Sequence, residues 1–371
     1  MGQNIEVAHG NLATVRVVNT AGEALNHGQA RVRVDAFSLS SNNISYAVFG
    51  DMMRYWDFFP AGAAAEGDAT VWGRVPVWGF GEVVETTSAD VTVGERFFGY
   101  FPMGNELVIE CGHADELGVA DVSAHRAGLA SAYNRYQRCG SDRSYRADRE
   151  DHQMLLYPLF FTSFVVDDFF IDNGDFGAEQ IVVSSASSKT SIGIAFQARH
   201  RGCRVVGLTS AGNTEFVKAL AVFDEVIGYD DIALLANVAS VYVDVAGDRV
   251  VRHDVHAHLG DHLRYSMTVG GTHWDSADLA GNPDLPGPTP QFFFAPSQIS
   301  KRSKEWGRAG LDARMGEAWS RFASWVDEWI EFRHAVGADA ITGVYLNLLG
   351  GHVDPRVGHI CSLVSDAAAA D

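Results

Sequence analysis

The chain is poor in cysteine. Its four, Cys111, Cys139, Cys203 and Cys361, are scattered through 371 residues without a CxxC pair. Neither a disulfide framework nor a cysteine zinc site is indicated by such spacing, and reduced thiols are expected. Basic charge is scarce too, with 28 Lys and Arg against 47 Asp and Glu and a formal net charge of -19. A surface that tracks phosphates or anionic lipid needs a basic excess, so we expect no nucleic-acid partner and no membrane partner. No uncharged apolar run reaches membrane-spanning length, and the opening MGQNIEVAHGN lacks the charged and apolar regions of a signal peptide. A cytoplasmic protein is the expectation. No G-x-S-x-G stands at a strand-to-helix elbow, which leaves a serine hydrolase of that kind without support.

What is present is unevenly distributed. At 47% hydrophobic the chain can bury a full core, and its length suits two domains. Residues 5–110 are rich in Val, Gly, Phe and Thr, with alternating runs such as ARVRVDAFSL (30–39) and GFGEVVETTSADVTVGERFFGYF (79–101), which predicts a β-rich half. The arginine-packed stretch NRYQRCGSDRSYRADREDHQ (134–153) has no apolar periodicity and reads as a connection or surface insertion. From residue 180 short apolar runs (QIVVSSAS, CRVVGLTS, DEVIGY, SVYVDVAG) alternate with helical ones (SIGIAFQARHRG, TEFVKALAV). Such alternation implies crossovers and a parallel sheet covered on both faces. Residues 273–290 read as a Gly/Pro-rich loop, 311–335 as a Trp-bearing amphipathic helix, and AITGVYLNLLGGHVDPRVGHICSL as a return to β patterning. The histidines of RHDVHAHLGDHL (His253, His256, His258, His262) have ligand-type chemistry. Their place after a strand is that of an outer helix, and they read as one face of it.

Several phrases together resemble the medium-chain dehydrogenase/reductase superfamily: VPVWGFGEVVETTSADVTVGERFFGY, with Glu95 where aspartate is usual, EQIVVSSASSKTSIGIAFQARHRGCRVVGLTS, FVKALAVFDEVIGYDD and GGHVDPRVGHICSL. The resemblance implies an α/β chain, a β-rich GroES-like catalytic domain joined to a doubly wound Rossmann domain. The corresponding boundaries are 1–150 for the N-terminal part of the catalytic domain, 151–295 for the nucleotide-binding domain, and 296–371 for a segment returning to the first. Zinc-dependent members carry an early cysteine, a Gly-His-Glu motif and a four-cysteine lobe, none of which is here. The branch implied is the zinc-independent quinone oxidoreductase and enoyl reductase group, without a metal and working as a homodimer.

In that group a tyrosine lies beside the nicotinamide. SNNISYAVFG matches with Tyr46, while Asn42 sits one place from the family asparagine, which Ser41 replaces. A phenol is neutral at pH 7 and can donate a proton or hydrogen bond to a carbonyl oxygen as hydride arrives at carbon. Tyr55, Trp56, Phe58 and Phe59 follow closely, as expected of a pocket for a hydrophobic or aromatic small-molecule carbonyl substrate. The plainer reading of these aromatics is an apolar surface lining.

The nucleotide loop is where glycine is missing. A Rossmann turn uses glycines to bring backbone N-H groups onto the pyrophosphate at a helix N-terminus. In VVSSASSKTSIG the matching positions are Ser188, Lys189, Thr190 and Ser191. Two readings stand: the hydroxyls and the cation contact the anion themselves, or they fill the space of a vestigial site. An NAD site carries Asp or Glu after the second strand, whereas Thr209 and Ser210 stand here, so NADP(H) is the cofactor expected. The resemblance assigns Tyr229 to the flank of the 2'-phosphate, with the family lysine replaced by Thr214 and Lys218 on the same helix. It also assigns Thr162 and Phe292 to the nicotinamide. Lys301, Arg302 and Lys304, with the arginines of 135–149, read as solvated faces or as a ring around an anionic substrate. The activity expected is NADPH-dependent reduction of carbonyl or α,β-unsaturated carbonyl compounds. A non-redox lyase or isomerase and a dinucleotide-sensing protein remain the alternatives.

Overall fold

The β-branched and aromatic residues of the first hundred positions form strands, as pleated half-buried surfaces favour. The structure, a computed structural model, describes residues 2–62, 68–142, 145–269, 285–351 and 353–364. The chain divides into two units, one made of Met1–Leu155 with Ile330–Asp371, the other of Leu156–Trp329.

In the first unit β1 (Gly2–Ala8) pairs antiparallel with β2 (Asn11–Thr20). β3 (Gln29–Leu39) leads through helix α1 (Ser41–Val48) to the short β4 (Trp72–Gly73) and then to β5 (Pro76–Thr86), β6 (Arg96–Pro102), β7 (Glu106–Asp115), β8 (Gly118–Asp121) and β9 (Arg135–Arg138). Their order is β3-β5-β6-β9-β8-β7, and β7 pairs again with β3, so the sheet closes on itself and hides its edges. Val32, Val34, Phe37, Val77, Phe97, Phe101 and Ile109 fill its interior, each no more than 1% exposed.

Helix α2 (Glu150–Asp172) opens the way to the second unit. There β10 (Gln180–Val183), α3 (Lys189–His200), β11 (Arg204–Thr209), α4 (Thr214–Ala219), β12 (Glu225–Gly228), β13 (Ser240–Asp244), α5 (Arg249–Leu259), β14 (Leu263–Thr268) and β15 (Gln291–Phe292) alternate as expected. The strands run parallel in the order β12-β11-β10-β13-β14-β15, the doubly wound order in which successive strands are added first on one side of β10 and then, from β13, on the other. Every residue of QIVV and SVYVD is buried, because both faces of the sheet are covered. α3 comes so close to α2 that a Cβ on Gly193 would lie 2.5 Å from Ser163 Oγ. Gly193→Val should therefore destabilise the protein by about 1–3 kcal/mol in urea unfolding; an unchanged midpoint would show that the two helices can part without cost.

Four expectations need correction. Residues 134–153 are not wholly a surface connection: 135–138 form β9, and Tyr136 is fully buried beneath Gly99. The helix expected over 311–335 instead begins at Ala295 as α6 (Ala295–Val326), is interrupted at Gly307, and is followed by strand β16 (Glu331–Val336). Over 340–363 the expected β patterning is mostly absent: Ala338–Leu349 is helix α7, which buries Ile341, Tyr345 and Leu348 at helical spacing, and only Val357–Ser362 is a strand, β17. β17 pairs with β16 and β3. The second boundary accordingly falls at 329/330 rather than 295/296, since α6 packs on its own unit: Phe160 stacks on Phe322 at 4.3 Å and Phe196 meets Trp325 at 5.1 Å. Most of the loop expected at 273–290 lies outside the described residues.

Ala147–Asp172 is long and apolar enough to cross a membrane by length and composition, although Asp167 and Asp168 keep it from being an uncharged run. In the fold it is a core helix that buries Leu156, Phe160, Val165, Val166 and Phe170. Both aspartates are buried and paired, Asp167 with Arg201 at 2.8 Å and Asp168 with Arg302 at 2.6 Å.

Candidate active site

In the first unit the residues converge on a phenol. Ser40 and Asn43 form a capping box at the start of α1, and Asn43 Nδ2 anchors that turn by donating to Pro76 O at 2.9 Å. Asn42 and Tyr46 then fall one helical turn apart on the same face. Tyr46 is 7% exposed. Its ring lies 4.6 Å from Tyr55, 5.6 Å from Tyr100 and 6.4 Å from Tyr133, centroid to centroid. Trp78 and Tyr100 are cross-strand partners in β5 and β6, so both side chains reach the same side, and Trp78 Nε1 donates to Tyr46 Oη at 3.4 Å. Phe58 and Phe59 complete the cluster. Trp56 does not join it but stacks on His9 at 4.4 Å.

Beneath the ring cluster lies a buried ion pair, Arg126 with Asp121 at 2.9 Å, each side chain 1% exposed. The guanidinium sits 4.8 Å over Phe59 and donates to Tyr136 Oη at 3.4 Å, and Tyr136 Oη donates to Tyr100 O at 2.8 Å. Arg126 also reaches Tyr133 O at 3.4 Å, so one cation fixes two of the tyrosine-bearing segments. Burial holds the Tyr46 phenol above the ordinary tyrosine range, while the donors around its oxygen, Trp78 first and then Asn42, Tyr100 and Tyr133, pull against that shift. The group is therefore neutral at pH 7 and able to donate.

In the second unit the turn after β10 is tight. Ser185 adopts a left-handed conformation with φ +49, where Rossmann turns place glycine, and its N-H donates to Tyr229 Oη at 2.9 Å. Ser187 Oγ accepts from Asn213 Nδ2 at 3.1 Å, which ties the turn to the residues after β11. Ser188 is the N-cap of α3, accepting from Ser191 N at 3.2 Å. Ser191 is fully buried and donates to Ser184 O at 2.9 Å. Its hydroxyl serves the turn itself. Lys189 and Thr190 are half-buried at the first helical positions.

Of the other expected residues, Thr209 is buried at the end of β11 and Ser210 is exposed beyond it, 3.3 Å from Asn213 Nδ2. Thr162 donates to Pro158 O within α2 at 3.3 Å, and Phe292 is 48% exposed at the end of β15. Among the described residues no hydrogen bond joins either of them to the loop. Lys218 is exposed and 3.3 Å from Glu215, a solvated helix pair. The structure thus gathers Ser187, Ser188, Ser210, Asn213 and Tyr229 around one turn.

Sequence reasoning missed Ser185, Ser187 and Asn213, and also Trp78, Tyr100 and Tyr133. The available signal was the alternation of VPVWGFGEVV and FFGYF, which places Trp78 and Tyr100 in strands but does not give the register between them. The arginines of 135–149 resolve into local staples rather than an anion ring: Arg135 pairs with Asp115, Arg138 with Glu95 at 2.8 Å, and Arg146 with Asp148 at 2.9 Å. Arg143 lies outside the described residues. Lys301 and Arg302 are likewise joined to Asp172, on α2. His256 is buried, with Nδ1 2.8 Å from Pro286 O and Nε2 2.8 Å from Ser266 Oγ, a structural use. His258 Nε2 lies 2.7 Å from Leu235 O.

A family model described as a protein of unknown function (DUF2855) matches residues 37–354. No curated protein matches the sequence. Among solved structures, CurA in complex with NADPH from Vibrio vulnificus superimposes with a TM-score of 0.63 at 14% identity, covering 98% of this chain and 99% of that one. A mutant form of enoyl thioester reductase from Candida tropicalis gives a TM-score of 0.57 at 9% identity, with 97% and 99% covered. An Etr1p complex with NADP and crotonyl-CoA gives 0.58 at 9% identity, with the same coverage. At these identities the likeness is one of fold, and the fold is that of the medium-chain dehydrogenase/reductase superfamily.

Proposed function

We propose that this chain, which belongs to the DUF2855 family, is an NADPH-dependent reductase of carbonyl or α,β-unsaturated carbonyl compounds that uses Tyr46 as its proton donor. The observation that carries the reading is the Tyr46 hydroxyl, buried, neutral and set among aromatic faces in the β-rich unit of a dehydrogenase/reductase fold. Structures of this fold bound to NADPH, and to NADP with crotonyl-CoA, support it.

The chain's residues fit a phosphate-bearing nucleotide. The left-handed Ser185 makes the tight turn without glycine, and α3, twelve residues long, presents its positive end after that turn. Ser210, rather than a carboxylate, follows β11, so nothing in that place repels a 2'-phosphate. With Ser191 and Thr209 buried, the groups left to touch the nucleotide are Ser187, Ser188, Lys189, Thr190, Ser210 and Asn213, with Tyr229 behind the turn. Thr162 and Phe292 belong to the nicotinamide end on this reading. Bound NADPH supplies hydride. The chain's own part is to orient the substrate against Trp78, Tyr55 and Tyr133, to exclude water there, and to deliver the Tyr46 proton to the carbonyl oxygen.

NADPH should raise the melting temperature more than NADH at matched concentration, and at one hundred times its Kd it should add about 2.7 kcal/mol of stability. Lys189→Ala should weaken NADPH binding by about ten- to a hundredfold with the apo melting temperature unchanged. Equal shifts with the two nucleotides would count against the cofactor assignment. A wild type that binds neither would favour a filled, vestigial turn and the non-redox alternative.

A further inference from the structure

The Tyr46 oxygen is surrounded by donors whose presence a simple proton donor does not require. Trp78 Nε1 has no acceptor chemistry and points its hydrogen at that oxygen from 3.4 Å. The Tyr100 hydroxyl is fully buried and, apart from the Tyr46 oxygen, has no partner among the described residues; its ring meets the Tyr46 ring edge-on. A buried hydroxyl without a hydrogen bond is destabilising. Substrate cannot relieve it, because Tyr100 is 0% exposed. The Tyr133 ring lies tilted 4.7 Å from Tyr100 and edge-on 6.4 Å from Tyr46, held there by Arg126 on its carbonyl. All these groups become favourable at one moment, when the Tyr46 oxygen carries a negative charge.

We propose that Trp78, Tyr100 and Tyr133 are positioning residues that stabilise the Tyr46 phenolate formed when Tyr46 surrenders its proton. The inference rests on the reductase reading given above. In that step the substrate carbonyl takes a hydride at carbon from NADPH, which is oxidised to NADP+, and a proton at oxygen from Tyr46. The Tyr46 O-H bond breaks, its electron pair stays on the phenol oxygen, and solvent later returns the proton. The three donors hold the charge in the interval, as backbone donors hold an oxyanion. Tyr133 and Trp78 are half-buried.

The test reads Tyr46 directly. 3,5-Difluorotyrosine placed at position 46 titrates in the range where the protein stays folded, and its 19F resonance reports that ring alone. Trp78→Phe, Tyr100→Phe and Tyr133→Phe keep the packing and remove one donor each, so each should raise the ionisation midpoint of that residue by about one pH unit. In proteins with native Tyr46, Trp78→Phe and Tyr133→Phe should lower kcat by about tenfold or more with KM for NADPH unchanged. Midpoints that stay put or fall in all three variants would overturn the inference even if the enzyme reduces enones. Raised midpoints in a protein that reduces no carbonyl would support the donor shell and overturn the reductase reading alone. Tyr100 lies in the core, and should Tyr100→Phe not fold, the other two variants decide.

Discussion

Tyr46→Phe should reduce turnover by about 10²- to 10⁴-fold, the usual worth of a positioned general acid, with NADPH affinity intact. The substitution keeps the ring that packs on Tyr55 and Tyr100 and deletes only an oxygen whose fixed contact is the long 3.4 Å bond from Trp78. Stability should therefore change by less than about 1 kcal/mol. A loss confined to kcat, read beside an unchanged NADPH titration, assigns the hydroxyl to the chemical step rather than to binding. Wild-type turnover in Tyr46→Phe would remove the phenol from the reaction and leave the cluster as an apolar wall.

The second large effect is on stability. Arg252→Leu should destabilise the protein by about 3–5 kcal/mol, because it abandons a carboxylate in the interior. Asp244 is 1% exposed, and Arg252 Nε meets its Oδ2 at 2.7 Å. The other oxygen accepts from Ser184 Oγ at 2.9 Å and Gly247 N at 2.9 Å, so the pair also fixes the turns after β10 and β13, where strand order switches sides. Adding Asp244→Asn should recover much of the loss, since a neutral amide is far cheaper to bury than an unpaired charge. Urea unfolding of the three proteins checks both statements. Equal destabilisation in the single and double variants would mean that packing by the arginine stem, not charge, is what counts.

The second unit was largely legible because each of its elements is local: a buried strand is a continuous apolar run, and the helix after it has its own period. QIVV, RVVGLT, EVIG and SVYVD all became strands. AITGVYLNLL misled because Ile, Thr, Val and Tyr favour strands locally, while the spacing of Ile341, Tyr345 and Leu348 selects helix once there is a core to bury them in. Tyr46 was singled out by its motif. Its partners were not, because Trp78, Tyr100 and Tyr133 come from separate segments and meet only through strand register and the Arg126 contact. The glycine-poor turn showed the converse limit. Its composition announced an unusual site, but nothing in one dimension indicated that Ser191 turns inward while Ser185 takes the left-handed place of glycine.

The pairing of β17 with β3 has a consequence for how the molecule is made. Cys361 stands opposite Phe37, and Ser362 Oγ donates to Asp35 O at 2.6 Å, a contact spanning 327 positions. On a ribosome the first strands of the β-rich barrel emerge ahead of the second unit, yet its sheet lacks β16 and β17 until that whole unit has been made. The parallel-sheet unit, drawn from one continuous stretch, has all its strands well before that. Order of synthesis and order of completion are thus reversed: the first unit to appear is the last to be finished. During that interval β3 carries an unsatisfied edge opposite Phe37 and Ser38, the kind of edge that recruits foreign strands. Slow synthesis of the stretch between β3 and β17 lengthens this exposure, so the yield of soluble protein depends on how quickly β17 arrives.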